Sequence, residues 1–147
     1  MKDIITYSNY EKLITMMVNI IHASGDTFSG IHGLVRGGLP IAVHISHHLN
    51  IPMVSNLIKY SNDHPDGLLL VVDDIIDSGQ TFDRFLEISK MNNIKFKSAV
   101  MFDKLISDYR PDFMVATTTE WIVFPWETVE ELPSEYHQEL YSDIFSQ

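Results

Sequence analysis

The chain has 147 residues, 45% hydrophobic and 20% charged, with no cysteine and a formal net charge of −10 at pH 7. That suits one globular domain over residues 1–147 and excludes disulfides, thiolate metal sites and a surface made for nucleic-acid backbones. No apolar run has the length of a signal-peptide core or a membrane span, so a cytoplasmic protein with no membrane partner is expected.

Ser8-Asn9 is placed to cap a helix over residues 10–23, where Leu13, Met16, Met17, Ile20 and Ile21 repeat at the spacing of one apolar face. Both methionines read as packing residues, and Ser24-Gly25-Asp26 ends the pattern. Ile31 to Val35 is a short apolar strand, Arg36-Gly37-Gly38 the turn after it, and Leu39-Pro40 the start of a helix. His44, His47 and His48 fall mostly opposite the apolar residues of that helix, with no acidic ligand nearby, and read as a solvated face. Asn50-Ile51-Pro52 closes the helix. Residues 53–60 read as another strand, and Ser61 to Gly67 as a turn-rich loop.

Leu68 to Val72 then runs without a polar break, the pattern of a strand covered on both faces. Asp73 and Asp74 follow where this strand should end, and Asp77-Ser78-Gly79-Gln80-Thr81 leads into a second apolar helix. Such a turn aims backbone N–H groups at one point by the positive end of a helix, with the Ser78 and Thr81 hydroxyls as further donors. It is a phosphate cradle.

Apolar strand, Asp-Asp, two apolar residues and Asp-Ser-Gly-x-Thr together resemble the phosphoribosyl-pyrophosphate (PRPP) motif of the type I phosphoribosyltransferases. The resemblance implies an α/β fold: a mostly parallel twisted sheet with helices on both faces, and a small hood built from the termini. It implies that Arg36, Gly37 and Gly38 bind the diphosphate, with a cis peptide between Val35 and Arg36. Ser78, Gly79, Gln80 and Thr81 would hold the 5′-phosphate. Asp73 and Asp74 would serve the ribose hydroxyls and a magnesium ion, and Asp77, also among the PRPP-binding residues, would take the catalytic acid–base role. The family usually carries a longer excursion where this chain has residues 61–67.

Phe82, Phe85, Leu86 and Ser89 lie along one side of the next helix, which ends at Asn92-Asn93, a left-handed cap. Strands are expected at 96–102 and 113–117, around an Arg110-Pro111-Asp112 turn, with Asp103-Lys104 ending the first. Glu120-Trp-Ile-Val-Phe-Pro-Trp-Glu127 is similar to the Trp-Ile…Pro-Trp segment of bacterial xanthine–guanine phosphoribosyltransferases. That likeness implies base binding by Trp121, which stacks on the purine, by the Ile122 backbone and by Lys104 at the oxygen on carbon 6. Trp126 is expected to pack. Residues 134–145 read as an acidic amphipathic helix. The implied substrates are PRPP and a 6-oxopurine (guanine, xanthine or hypoxanthine), and the implied assembly is a homodimer or tetramer. The chief rival is a nucleotide or PRPP sensor on the same fold, without turnover. A signalling receiver domain also pairs acids at a strand end, but at its first strand, whereas Asp73-Asp74 lies mid-chain.

Overall fold

Strand β3 (Leu68–Ile76) is central to the main sheet, and its alternation explains the unbroken apolar run at its start. Leu70 and Val72 pack against helices α1 (Tyr7–Ala23) and α2 (Gly38–Leu49). Leu69 and Val71 pack on the other face, against α3 (Leu57–Asp63) and α4 (Gln80–Met91). With both faces covered, no position of the run can be polar without a buried partner. The structure is a computed structural model that describes residues 2–127; the helix expected over 134–145 lies outside them.

Strands β2 (Gly30–Gly33), β3, β4 (Lys95–Asp103) and β5 (Phe113–Thr117) are neighbours in that order, and every pair is parallel. Beyond β2, Met53 forms a parallel bridge to Ile31. The chain therefore leaves β2 toward one side and returns to β3 on the other. The winding reverses between β2 and β3, and ligands of open α/β sheets sit outside the strand ends at such a reversal. Strands β1 (Lys2–Ile4) and β6 (Trp121–Val123) form a separate two-stranded parallel hood. Among the described residues no helix is long and apolar enough to cross a membrane.

Four expectations are corrected. Helix α1 starts at Tyr7 and is capped by Thr6, whose hydroxyl accepts the Asn9 amide at 3.2 Å, not by Ser8-Asn9. Its buried seam is Tyr10, Ile14, Met17 and Ile21, while Met16 is 49% exposed. Apolar residues cover so much of this helix that periodicity alone does not select the seam. The strand expected over 53–60 is reduced to the Met53 bridge, because the Asn56 side chain accepts the Lys59 amide at 3.0 Å and starts α3 there. Helix α3 also absorbs residues 61–63, leaving only His64–Gly67 as a loop.

Candidate active site

The first half of the site is the turn after β2. Leu34 N–H donates to Val72 O at 2.8 Å, so the chain stays tied to β3 one step past the strand. The Val35–Arg36 peptide is cis, as the resemblance implied. Helix α2 then begins with Gly37 as its cap and no side chain on its first amides. A Cβ on Gly38 would run into the Val72 backbone carbonyl, and one on Gly37 into the Asp74 carboxylate. Gly38 is required by close approach to the β3 backbone, and a side chain at Gly37 would have to displace the Asp74 carboxylate.

Strand β3 continues through Ile76, so Asp73 and Asp74 lie within its last four residues, whereas the sequence placed them where the strand ends. Pleating sends them to opposite faces. Asp74 lines a cavity of about 780 Å³ together with Arg36, Gly37 and Trp121. Asp73 lines a smaller one of about 90 Å³ with Asp77, Ser78, Gly79 and Thr81. Asp73 Oδ1 accepts the Asp74 amide at 2.9 Å, and Asp74 Oδ1 accepts the Ile75 amide at 2.8 Å.

Burial, and after it the charge of Asp74, push the Asp73 carboxyl up to about 8. In the unfolded chain the same group titrates near ~3.9. Between those values the folded protein keeps a proton that the unfolded chain gives up. Asp73 therefore favours the fold most in acid, and its contribution is lost as pH rises through about 8. Asp73→Asn is expected to flatten that decline, measured as denaturant midpoints over a pH series; a slope equal to wild type would contradict it.

The cradle itself follows. Gly79 takes φ +80° and caps α4, with no side chain on the first amides of that helix. A Cβ there would meet the Ser107 hydroxyl, a constraint sequence reasoning did not find. Ser78 Oγ accepts the Gln80 amide at 3.4 Å, which leaves its own proton free to donate outward. Of the predicted phosphate residues, Gln80 contributes no lining to the small cavity, whereas Ser78, Gly79 and Thr81 do.

Lys104 follows β4 directly, its amide bonded to Ile76 O at 3.0 Å. Its ammonium lies 3.3 Å from Asp77 Oδ2 and 5.6 Å from the centre of the Trp121 ring. Trp121 is 62% exposed, an open aromatic face. Ile5 N–H donates to Val123 O at 2.9 Å. Alternate residues of a parallel strand turn their backbone groups to one neighbour, so Ile122 turns its own away from β1, to the open edge. The Ile122 side chain is buried.

The large cavity also recruits Lys2, Pro40, Val123 and Glu127, none of which the sequence marked. Lys2 arrives because β1 pairs it with Trp121. Trp126 packs as expected, stacked on Phe124 at 5.0 Å with Tyr10 edge-on at 4.9 Å, and it lines the cavity too. His44, read as solvated, is exposed yet hydrogen-bonds Tyr10 through Nδ1 at 2.6 Å.

A family model described as "Phosphoribosyl transferase domain" matches residues 61–131. A curated relative, the xanthine-guanine phosphoribosyltransferase of Idiomarina loihiensis, is 30% identical over 126 residues, covering 69% of this chain and 73% of its own. Among solved structures, a purine phosphoribosyltransferase from Pyrococcus horikoshii is 27% identical with a TM-score of 0.74, covering 90% of this chain and 98% of that one. The Helicobacter pylori xanthine-guanine-hypoxanthine phosphoribosyltransferase has the same fold, with a TM-score of 0.75 at 24% identity over 97% of this chain and 99% of that one. Two glycine turns, a strand-end acidic pair and the match to a curated relative lead to one conclusion: the chain belongs to the type I phosphoribosyltransferase family.

Proposed function

We propose that this protein transfers phosphoribose from PRPP to a 6-oxopurine, giving a nucleoside monophosphate and pyrophosphate. The observation that carries this reading is the cluster of Asp77, Lys104 and Trp121 beside the phosphate cradle. The purine names of the curated relative and the archaeal structure support the same acceptor. In the reaction the bond from ribose carbon 1 to purine nitrogen 9 forms as the bond from that carbon to the diphosphate oxygen breaks. The centre passes through an oxocarbenium-like state. No covalent nucleophile is needed, and the protein acts by positioning and by stabilising charge.

Arg36 and the Gly37 and Gly38 amides hold the diphosphate. Ser78, Gly79 and Thr81 hold the 5′-phosphate, with Gln80 contributing its backbone. Asp77 meets purine nitrogen 7 as acceptor or acid–base group. Trp121 stacks on the ring, the Ile122 backbone meets the pyrimidine edge, and Lys104 donates to the oxygen on carbon 6.

Among the described residues no three His, Asp or Glu side chains converge on one metal position. Magnesium accepts such a site, since it is commonly held by one or two carboxylates plus substrate phosphates. Asp73, desolvated and beside a second carboxylate, fits that donor set, with Asp74 on the opposite face. The ion, when bound, neutralises the departing diphosphate. PRPP binding should therefore depend on a divalent ion. Calorimetric titration with and without chelator checks this, and equal affinity in both would overturn it.

A second reading, a PRPP or nucleotide sensor without turnover, is favoured by one feature: between the Met53 bridge and β3 the chain holds only α3 and two short connections, with no long excursion. Incubation with PRPP, magnesium and each purine base decides between the two. Pyrophosphate release with 6-oxopurines supports the enzyme. PRPP binding with no release for any base supports the sensor.

A further inference from the structure

Asp103 ends β4 and is fully buried, and its Oδ2 has no hydrogen-bond partner in the described structure. A buried carboxylate oxygen left without a partner is costly. The other oxygen, Oδ1, accepts the Leu105 amide at 2.8 Å. Leu105 takes φ 62°, a left-handed conformation that a non-glycine residue seldom adopts. The side chain of Leu105 is 51% exposed, so packing does not impose that conformation. The Asp103 carboxylate holds the amide of that turn.

Lys104 lies between these two residues. Its ammonium is therefore aimed by a turn clamped on both sides: the Lys104 amide on Ile76 O at 3.0 Å and the Leu105 amide on Asp103. Asp103 also accepts the Thr118 amide on its backbone oxygen at 3.1 Å, and the Thr118 hydroxyl accepts the Glu120 amide at 3.0 Å. That second chain of bonds ends next to Trp121. One buried residue thus joins the two loops that bring Lys104 over the Trp121 ring.

We propose that Asp103 is a positioning residue for base selectivity: its carboxylate fixes the left-handed turn at Leu105 and so sets the Lys104 ammonium against Trp121. The proposal rests on Lys104 as the base-selecting group. Asp103 is too deep to touch a substrate and acts only through its neighbour.

Asp103→Ala removes the acceptor, whereas Asp103→Asn keeps Oδ1 and places an amide where the unpartnered oxygen lies. A displacement of a positioning group by about 1 Å costs on the order of 10²-fold. Asp103→Ala should lose about that factor in kcat/KM for a 6-oxopurine, through a raised KM for the base with the KM for PRPP unchanged. Asp103→Asn should restore it. The readout independent of activity is the Trp121 indole N–H resonance of the ligand-free protein. Lys104→Met moves this signal by removing the nearby cation, and Asp103→Ala should move it the same way, while Asp103→Asn should not.

Should Asp103→Ala not fold, Leu105→Val attacks the same turn from its exposed side, since a β-branched residue resists positive φ. It should reproduce the displaced resonance. An unmoved Trp121 signal in the folded variants, or a PRPP KM that rises as much as the base KM, would overturn the proposal. If the wild type transfers to no purine, the functional reading fails, and the resonance comparison still decides whether Asp103 positions Lys104.

Discussion

Asp77→Asn is expected to lower turnover by about 10²–10⁴ while leaving PRPP affinity close to wild type, the size of a general acid–base contribution. The substitution keeps the volume and turn-forming tendency of the residue and removes only its charge. The side chain of Asp77 is 59% exposed and lies 3.3 Å from the Lys104 ammonium, which the proposed function assigns to the base. Asp77 lines the small cavity with Ser78, Gly79 and Thr81, and in the proposed reading those three hold the 5′-phosphate without its charge. Kinetics at saturating PRPP, with a separate calorimetric affinity, distinguish the outcomes. A variant that loses PRPP binding and keeps its saturated rate would assign Asp77 to the ribose and not to the base.

Lys104→Met is expected to collapse the preference for 6-oxopurines over adenine. An ammonium donates and cannot accept, so it suits a carbonyl at carbon 6 and faces the adenine amino group donor to donor. Sites that pair a buried polar group with their substrate reject a mismatched analogue by about 10⁴–10⁵. Lys104 is positioned for such a role, with a side chain only 15% exposed. Trp121→Ala should behave differently: an aromatic face stacks on any purine, so affinity should fall for all bases and their ratio should hold. Relative kcat/KM values for guanine, hypoxanthine and adenine test both substitutions together. A wild-type preference for adenine, or an unchanged ratio in Lys104→Met, would contradict the lysine assignment.

The parts legible in the sequence were those written in consecutive residues. The unbroken run Leu68–Val72 suggests a doubly covered strand with a glycine turn behind it, so the cradle was read from local pattern, while the fold class came from the resemblance that the motif carries. Strand β5 was read at its observed limits, because Arg110-Pro111-Asp112 punctuates it. Reading failed where a single side chain outweighed a run. Asn56 turns an apolar stretch into a helix start, and Thr6 caps α1 two residues ahead of Ser8 and three ahead of Asn9, which are equally suitable. The rest of the site was hidden for a different reason. Lys2 reaches the cavity through a pairing with Trp121, and Ser107 packs against Gly79; neither relation leaves any trace in local sequence.

The hood has a kinetic consequence. Its two strands are three residues each, and Lys2, Asp3 and Ile4 are all exposed, so few contacts hold β1 in place. Elements of that size open at far lower free energy than a central strand. Amide exchange at residues 2–4 should run through local opening, while Leu69 to Val72 should exchange only with global unfolding. If Trp121 stacks on the base as proposed, its platform is complete for only part of the time, and apparent affinity for the base should fall in proportion to that fraction. A ligand that bridges β6 and the main sheet would lengthen the closed interval, so the order in which substrates arrive becomes a property of this small sheet as much as of the cradle.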